Sequence, residues 1–282
     1  GQSPQLQGRP GLNPLRFQTT YHVTQEYFDM VKTLASLTDV NAYDDYGIKM
    51  GYGNPKPDNI TNFGTYNFTL DQENRVETTP LEKDMVRLEQ EIKEAARQAD
   101  LVLVSIHAHE TDHGDFSVPA EYLEKASRRC IDAGACAVIG HGPHELRGIE
   151  IYHGGLILYS LGNFIFQTET VSMQPYDAYY NKGMSQDTHV GEYMDKRSKN
   201  GTAGYGTLEN IWRSVMAGFT VKDGKLTQVQ LYPISLGQFE PRTRRGTPVP
   251  AQDDSVLKYL AELSQPYGTK IRIENKIGYV DL

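Results

Sequence analysis

The stretch Leu101-Val102-Leu103-Val104-Ser105-Ile106-His107-Ala108-His109-Glu110 decides the fold and carries the first candidate site residues. Its first six residues are almost purely apolar and rich in β-branched side chains, which predicts a buried strand of a parallel sheet. Side chains alternate between the two faces of an extended chain. His107 and His109 are therefore predicted to point the same way, while Ile106 and Ala108 point the other way.

A helix and a second strand are predicted to follow and to complete a βαβ unit. The helical pattern covers residues 119–133, with Pro119 at its start and Gly134 after its end, as helix termini prefer. The second strand is Ala137-Val138-Ile139-Gly140, and His141-Gly142-Pro143-His144 comes directly after it. The crossover of such a unit is right-handed in nearly all proteins, and its parallel strands end at the same edge of the sheet.

The histidines after these two strands are predicted to converge, because open α/β sheets bind ligands at the carboxyl ends of their strands. Imidazole is the commonest transition-metal ligand, and it suits zinc, iron, nickel and copper better than magnesium or calcium. A single histidine here would more simply be a polar loop residue. Four of them at two neighbouring strand ends favour a functional site. They are His107, His109, His141 and His144.

Two longer motifs resemble a known family. They are Gly140-His141-Gly142-Pro143-His144-Glu145-Leu146-Arg147-Gly148-Ile149-Glu150-Ile151-Tyr152 and Tyr159-Ser160-Leu161-Gly162-Asn163-Phe164-Ile165-Phe166-Gln167. Together with His107-Ala108-His109-Glu110 they are similar to the CapA family, the poly-γ-glutamate capsule biosynthesis proteins of the calcineurin-like metallophosphoesterase superfamily. The resemblance spans at least residues 1 to 167. Cys136 departs from it, since an aspartate is usual at this position in the family.

The resemblance implies a set of metal ligands. His107 matches the isolated metal-binding histidine of metallophosphoesterases. His141 and His144 match the closing Gly-His-x-His element, although one more residue separates them here. That longer spacing leaves two roles open for His144, binding the metal directly or contacting the substrate. The implied cofactors are divalent transition metal ions, namely zinc, manganese or iron.

Three further residues are candidates for catalysis. His109 and Glu110 could act as general acid and base, or supply a further ligand. Asn163 follows an apolar strand, where it could orient a bound group or equally bond its own backbone in a turn. The family resemblance favours the first role for Asn163, as part of the site wall.

The predicted fold class is α/β, a metallophosphoesterase-like layered β-sheet core with flanking helices, of which this chain holds the C-terminal part. We infer that the chain is a C-terminal part because the segment from Ser3 to Arg16 is similar to one that lies well inside CapA proteins. Residues 1–240 are predicted to form the domain part, with 168–207 as a variable polar insertion, and 241–282 an extension packed on the same domain. The metal site is then predicted to be incomplete, since the family takes its acidic ligands from the N-terminal half.

Simpler patterns predict the remaining elements. Residues 24–37 form an amphipathic pattern, and Thr79-Pro80-Leu81-Glu82 resembles a capping box that would begin a second helix. Residues 43–62 are rich in Asp, Gly, Asn and Pro and predict a loop. The other predicted elements are strands at 149–152 and 156–159, a hairpin turning at Asp223-Gly224, a helix at 256–263 and a strand at 270–273.

Composition narrows the choice of partners. The 282-residue chain has a formal net charge of −8, which argues against a nucleic-acid groove with a basic face. It contains no apolar run of the length that spans a bilayer. The expected partners are an acidic polymer or a small anionic substrate, and the upstream half of the same protein. The family resemblance suggests an extracytoplasmic or membrane-associated location.

Three functions remain open at this point. The preferred one is a metal-dependent hydrolase that acts on a phosphoester or an amide bond, because such metals activate water and polarise the scissile oxygen. The second is a non-catalytic capsule-assembly component that binds an acidic polymer or its synthase. The third is proton abstraction next to a carbonyl, with a histidine as the base. Fold alone does not decide among them.

Overall fold

The structure is a computed structural model that describes residues 11–282, and its chain divides into two compact units. Unit 1 holds the residues up to Leu88 together with Glu121–Ala126. Unit 2 holds Glu89–Ala120 and Ser127–Leu282. Most of the segment that suggested an upstream half lies in residues 1–10, outside the described residues. Among the residues that are described, no helix is long and apolar enough to cross a membrane.

Unit 1 is built on a four-stranded mixed sheet. The strand order is β2-β3-β1-β4, with β1 parallel to β3 and antiparallel to β4. In chain order its elements are β1 (Phe17–Val23), α1 (Gln25–Thr38), α2 (Ala42–Lys49), β2 (Ile60–Phe63), β3 (Tyr66–Leu70), β4 (Arg75–Pro80) and the start of α3 (Glu82–Ala96).

Several predictions in unit 1 were wrong in detail. The predicted loop at 43–62 contains α2 and the start of β2; no residue of α2 is buried, so no apolar period marked it. Thr79 and Pro80 end strand β4 and do not begin a helix, because β4 pairs with β1 along its whole length. Helix α1 is confirmed, but Leu37 on its apolar face is 77% exposed.

Unit 2 holds a four-stranded sheet, a five-stranded sheet and a two-stranded hairpin. Its elements are β5 (Leu103–His107), β6 (Thr111–Asp112), β7 (Asp115–Pro119), the end of α4 (Glu121–Asp132), β8 (Ala137–His141), β9 (Leu146–Tyr152), β10 (Gly155–Leu161), α5 (Tyr176–Tyr180), α6 (Val190–Arg197), β11 (Arg213–Lys222), β12 (Lys225–Ser235), β13 (Val249–Pro250), α7 (Ser255–Ser264), β14 (Ile271–Glu274) and β15 (Ile277–Val280). The sheet orders are β5-β8-β10-β9 and β11-β12-β15-β14, with β13 paired to β12.

One apolar core lies between the two sheets of unit 2 and α7. Its fully buried members include Leu158 from β10, Leu231 from β12 and Leu257 from α7. The predicted hairpin forms, and Asp223 and Gly224 both have the positive φ that a tight two-residue turn needs. The C-terminal segment 241–282, with β13, α7, β14 and β15, belongs to the same unit. The predicted domain limits at 240 and 241 stay a prediction.

The βαβ unit that decides the fold is confirmed, with one correction. β5 and β8 are parallel neighbours, and the helix between them starts at Glu121, since Pro119 ends β7. The prediction of a buried strand holds for only one face: buried and exposed residues alternate along β5, and Leu103 is 54% exposed. In the described residues β5 is the edge strand of its sheet, and its alternating burial shows that only one of its faces is covered.

The fold class predicted from the sequence is confirmed as mixed α/β, with several sheets and flanking helices. This architecture is consistent with a metallophosphoesterase-like fold. The register of β5 and β8 pairs His107 with His141, so both strands deliver a histidine to the same point of the sheet edge.

Candidate functional site

His107 lies at the centre of a histidine cluster at the ends of β5 and β8. Its Nδ1 atom is 3.4 Å from Nδ1 of His141, and its Nε2 atom is 3.2 Å from Nε2 of His109. The contact with His109 follows from alternation along an extended chain, since residues two apart lie on the same side, while Ile106 before them is turned into the core. Ala108 donates a backbone hydrogen bond of 2.8 Å to the His141 carbonyl and joins the two strand ends. The cluster is half open to solvent, because His107 and His109 are exposed and His141 is half-buried.

Two glycines allow the backbones to meet this closely. A Cβ atom on Gly140 would lie 2.2 Å from the Tyr159 carbonyl oxygen, far inside contact distance. A Cβ atom on Gly142 would lie 2.5 Å from the Ala108 carbonyl oxygen, and Gly142 also has a φ of +128°. Only glycine satisfies both requirements.

His144 and Asn163 form a second group beside the cluster. His144 Nδ1 and Asn163 Oδ1 are 2.7 Å apart, and the Asn163 amide nitrogen donates to the carbonyls of His144 and Ile211. Because that amide oxygen accepts, His144 Nδ1 carries the proton and a neutral ring presents its Nε2 lone pair. The His109 and His144 ring centroids are 5.7 Å apart, so the two groups adjoin through His109. The four predicted histidines and Asn163 are thus neighbours in space.

Ser105 is a site residue that the sequence analysis missed. Its Oγ lies 2.9 Å from Nε2 of His141 and fixes the orientation of that ring. The sequence did contain a signal for this role, since Ser105 is two residues before His107 and shares its face of β5. Burial, and then repulsion by His107, lower the pKa of His141, which keeps this imidazole neutral and able to donate a lone pair.

Glu110 is held through its main chain by a buried arginine. Arg147 is 1% exposed, and its Nη2 donates to the Glu110 carbonyl at 2.9 Å while its Nε donates to the Phe116 carbonyl at 3.0 Å. Arg147 thereby fastens the β6–β7 hairpin to β9. The Glu110 residue itself is exposed at the end of the strand that carries His107 and His109.

Glu145 is a second carboxylate near the site, and its role was not predicted. Burial raises the pKa of its carboxyl, against a hydrogen bond from Asn210 at 3.4 Å. Asn210 also donates to the Tyr259 hydroxyl at 3.1 Å, so the group is part of an internal network. Asn210 thus ties the Glu145 carboxyl, one residue after His144 in the chain, to Tyr259.

The imidazole nitrogens of the cluster are of the type that binds transition metals, and two pairs of them have a suitable spacing. Two imidazole nitrogens on one tetrahedral zinc ion lie roughly 3.3 Å apart. The pairs His107–His141 and His107–His109 match that separation, but they use opposite nitrogens of His107. One ion therefore cannot take all three rings as they are placed. In agreement, residues 11–282 contain no group of three or more His, Cys, Asp or Glu side chains arranged to hold a metal ion.

Comparison with known proteins places these residues in a family context. The family model described as "Bacterial capsule synthesis protein PGA_cap" matches residues 40–168, which include the histidine cluster. The uncharacterized protein y4sH of Sinorhizobium fredii is 34% identical over 215 residues, covering 71% of this chain and 45% of that protein. The chain thus spans less than half the length of this relative.

Two further relatives have names that describe a role in capsule synthesis. The PGA biosynthesis protein CapA of Bacillus subtilis is 43% identical over 75 residues, which cover 27% of this chain and 19% of that protein. The capsule biosynthesis protein CapA of Bacillus anthracis is 46% identical over 68 residues, covering 24% and 16%. The resemblance that the motifs predicted is confirmed: over the part of the chain that carries the histidines, this protein is similar to the CapA family of capsule biosynthesis proteins.

Proposed function

We propose that this chain supplies the histidine side of a metal-dependent hydrolase site that acts on a phosphoester or an amide bond in capsule synthesis. The observation that carries the proposal is the position of His107, with one ring nitrogen facing His141 and the other facing His109. His107 and His141 would hold a divalent transition metal. When bound, such an ion supplies a Lewis acid for the scissile oxygen and lowers the pKa of a nearby water.

The chain's own residues take three supporting roles in this proposal. Ser105 orients His141 through the 2.9 Å hydrogen bond. His109 adjoins both His107 and His144, so its ring can pass a proton between the cluster and a bound substrate. His144, whose tautomer Asn163 fixes, presents a lone pair toward the substrate. This assignment favours the second of the two roles left open for His144.

Neutral imidazoles bring no negative charge to balance a dication, and carboxylates normally do so in two-metal sites. The proposal therefore includes further ligands from the upstream half of the protein, as the family resemblance implies. The same lack of carboxylate ligands favours one alternative, a capsule-assembly component that binds an acidic polymer without turnover. The names of the Bacillus relatives agree with either form.

Elemental analysis of purified protein tests the proposal. This chain is expected to hold at most one weakly bound zinc, manganese or iron ion. A longer polypeptide that includes residues encoded before Gly1 is expected to hold one or two tightly, and to hydrolyse a generic phosphoester or a γ-glutamyl amide. Two tightly bound metals on residues 1–282 alone would contradict the incomplete site. Metal binding by the longer polypeptide without turnover of either substrate would favour the assembly role.

A further inference from the structure

We propose that a cavity beside the histidine cluster binds a carboxylate group of the ligand through Arg245. The cavity has a volume of about 500 Å³ and is lined by Phe166, Tyr205, Trp212 and Arg245, among other residues. We refer to it as the arginine cavity. The proposal deepens the function proposed above and rests on it for the cavity's role in the reaction, whereas binding itself can be measured without turnover.

The arginine cavity adjoins the histidines through two aromatic rings. The His144 ring centroid is 5.8 Å from that of Phe166 and 6.0 Å from that of Tyr205, and both aromatic residues line the cavity. A ligand that occupied the cavity and extended past these rings would reach His144. The cavity is thus placed to hold the part of a substrate next to the reacting bond.

Only one of the two inner arginines has donors to spare. The guanidinium of Arg242 is engaged on every nitrogen, by Glu169 at 3.2 Å, Asp195 at 2.6 Å and the Gly191 carbonyl at 3.4 Å. Arg245 donates from Nε to the Glu240 carbonyl, and its Nη1 faces Glu169 at 3.4 Å. Its Nη2 has no partner within the described part of the chain. Arg242 therefore supports the cavity, and Arg245 presents hydrogen-bond donors to a ligand.

The surroundings hold Arg245 in place for this role. Its guanidinium lies over the Trp212 ring at 5.7 Å, and Trp212 is fixed in turn by a hydrogen bond from its Nε1 to the Tyr205 carbonyl at 2.9 Å. A stacked arginine loses less freedom when it binds a planar anion. Glu169 completes the wall, and its Oε2 atom is buried without accepting a hydrogen bond.

The charge of the lining favours a monoanion. Three arginines and two carboxylates line the cavity: Arg197, Arg242 and Arg245, against Glu169 and Asp195. Their balance is one positive charge in a chain whose net charge is −8. A carboxylate carries a single negative charge, whereas a phosphate monoester carries about −1.5 to −2 near neutral pH and would be repelled more strongly by the two acids. The planar fork of a guanidinium also matches a carboxylate.

Three variants of the chain test the assignment, with a fluorescein-labelled glutamate trimer, free glutarate and inorganic phosphate as probes. Arg245→Gln is expected to weaken trimer binding by about tenfold or more, since it removes a charge-assisted contact. Glu169→Gln removes the carboxylate that competes for Arg245 and is expected to strengthen binding by about threefold. Arg244→Gln is the matched control, because its side chain is 72% exposed, pairs with Glu240 and does not line the cavity.

The outcomes separate the proposal from its alternatives. Weaker binding after Glu169→Gln with no change after Arg245→Gln would overturn it, since the cavity would then bind a donor such as an amine or a hydroxyl. Equal loss in Arg244→Gln would overturn it as well and indicate general charge attraction. If the chain bound phosphate more tightly than glutarate, the assignment of the cavity to a carboxylate would be rejected. The metal content of each variant is measured in parallel. If no variant binds metal, that result counts against the hydrolase proposal alone and leaves the carboxylate site untouched.

Discussion

His22 in unit 1 and His107 in unit 2 each have polar partners on both ring nitrogens, but the partners differ in kind. The buried His22 ring lies between two carboxylates, with Asp71 Oδ2 at 2.9 Å from Nδ1 and Glu77 Oε2 at 3.0 Å from Nε2. The exposed His107 ring lies between two other histidines. The first ring faces carboxylates of its own unit, and the second faces only other imidazoles.

The difference distinguishes a structural histidine from a candidate functional one. Carboxylates on both sides lock His22 into the sheet of unit 1, where Arg75 and Lys125 balance the acids. Each facing pair of imidazole nitrogens lies within hydrogen-bonding distance, and a cation that binds there takes the place of a shared proton. Burial alone would have ranked these residues in the opposite order, because His22 is the buried one.

The largest expected effect is at the centre of the cluster. His107→Ala removes the ring that both neighbours share, so zinc affinity should fall by more than about 100-fold. Competition with a fluorescent zinc chelator measures it. His153→Ala is the control, since His153 is an exposed turn residue paired with Asp132. An unchanged affinity in His107→Ala would show that the cluster is not a metal site.

His22→Ala should reverse the pattern, with lost stability and unchanged zinc binding. It leaves Asp71 and Glu77 without their shared donor, which should lower the free energy of unfolding of unit 1 by about 2 kcal/mol. Hydrogen exchange of the β1 amides reports this change. Gln18→Ala, on an exposed position of the same strand, should stay within about 0.5 kcal/mol of the parent. A large loss of zinc binding in His22→Ala would remove the distinction between the two histidines.

Ser105→Ala should produce a smaller change at the cluster. It removes the hydrogen bond that orients His141 but leaves every ring in place, so zinc affinity should fall by about tenfold. The same chelator competition measures it, and far-ultraviolet circular dichroism should show an unchanged fold. A loss as large as that of His107→Ala would mean that Ser105 does more than orient a ring.

The acid stability of unit 1 gives the smallest and most gradual effect. The pKa of Asp71 is lowered, first by the Gln72 backbone N–H and then by His22; that of Glu77 is lowered by Lys125 and then by His22. Their contribution is therefore complete above the unfolded pKa of about 4 and is lost as the pH falls through the lower folded values. Exchange of the β1 amides between pH 6 and pH 3 should follow this course. In Glu77→Gln the dependence on pH should become shallower.

The sequence predicted what depends on neighbours along the chain. The apolar runs that became β5 and β8 were visible, and strand alternation correctly placed His107 beside His109. His22 could not be interpreted, because its partners are 49 and 55 residues away and strand β1 was itself missed. The exposure of Leu103 was not predicted, since an apolar run does not reveal whether both faces of its strand are covered.

The sequence predicted which residues come together at the site, but it did not predict the contacts among them. Nothing in the spacing showed that Asn163 would fix His144, because that contact depends on β10 returning beside β8. Glu145 belongs to one of the family motifs, yet its burial and its contact with Asn210 could not be predicted from the sequence.

The close backbone approach at Gly140 and Gly142 sets a limit on how this protein can be varied. Any side chain at either position would collide with a main-chain carbonyl, of Tyr159 or of Ala108, and a main-chain carbonyl cannot move aside as a flexible side chain can. In a saturation library selected for folded protein, both positions should return glycine almost exclusively. Neighbouring exposed positions such as His109 and Glu110 should tolerate many residues in the same selection. New chemistry can therefore be introduced at this sheet edge by exchanging side chains on the existing strand ends, while the path of the loop between His141 and His144 must be kept.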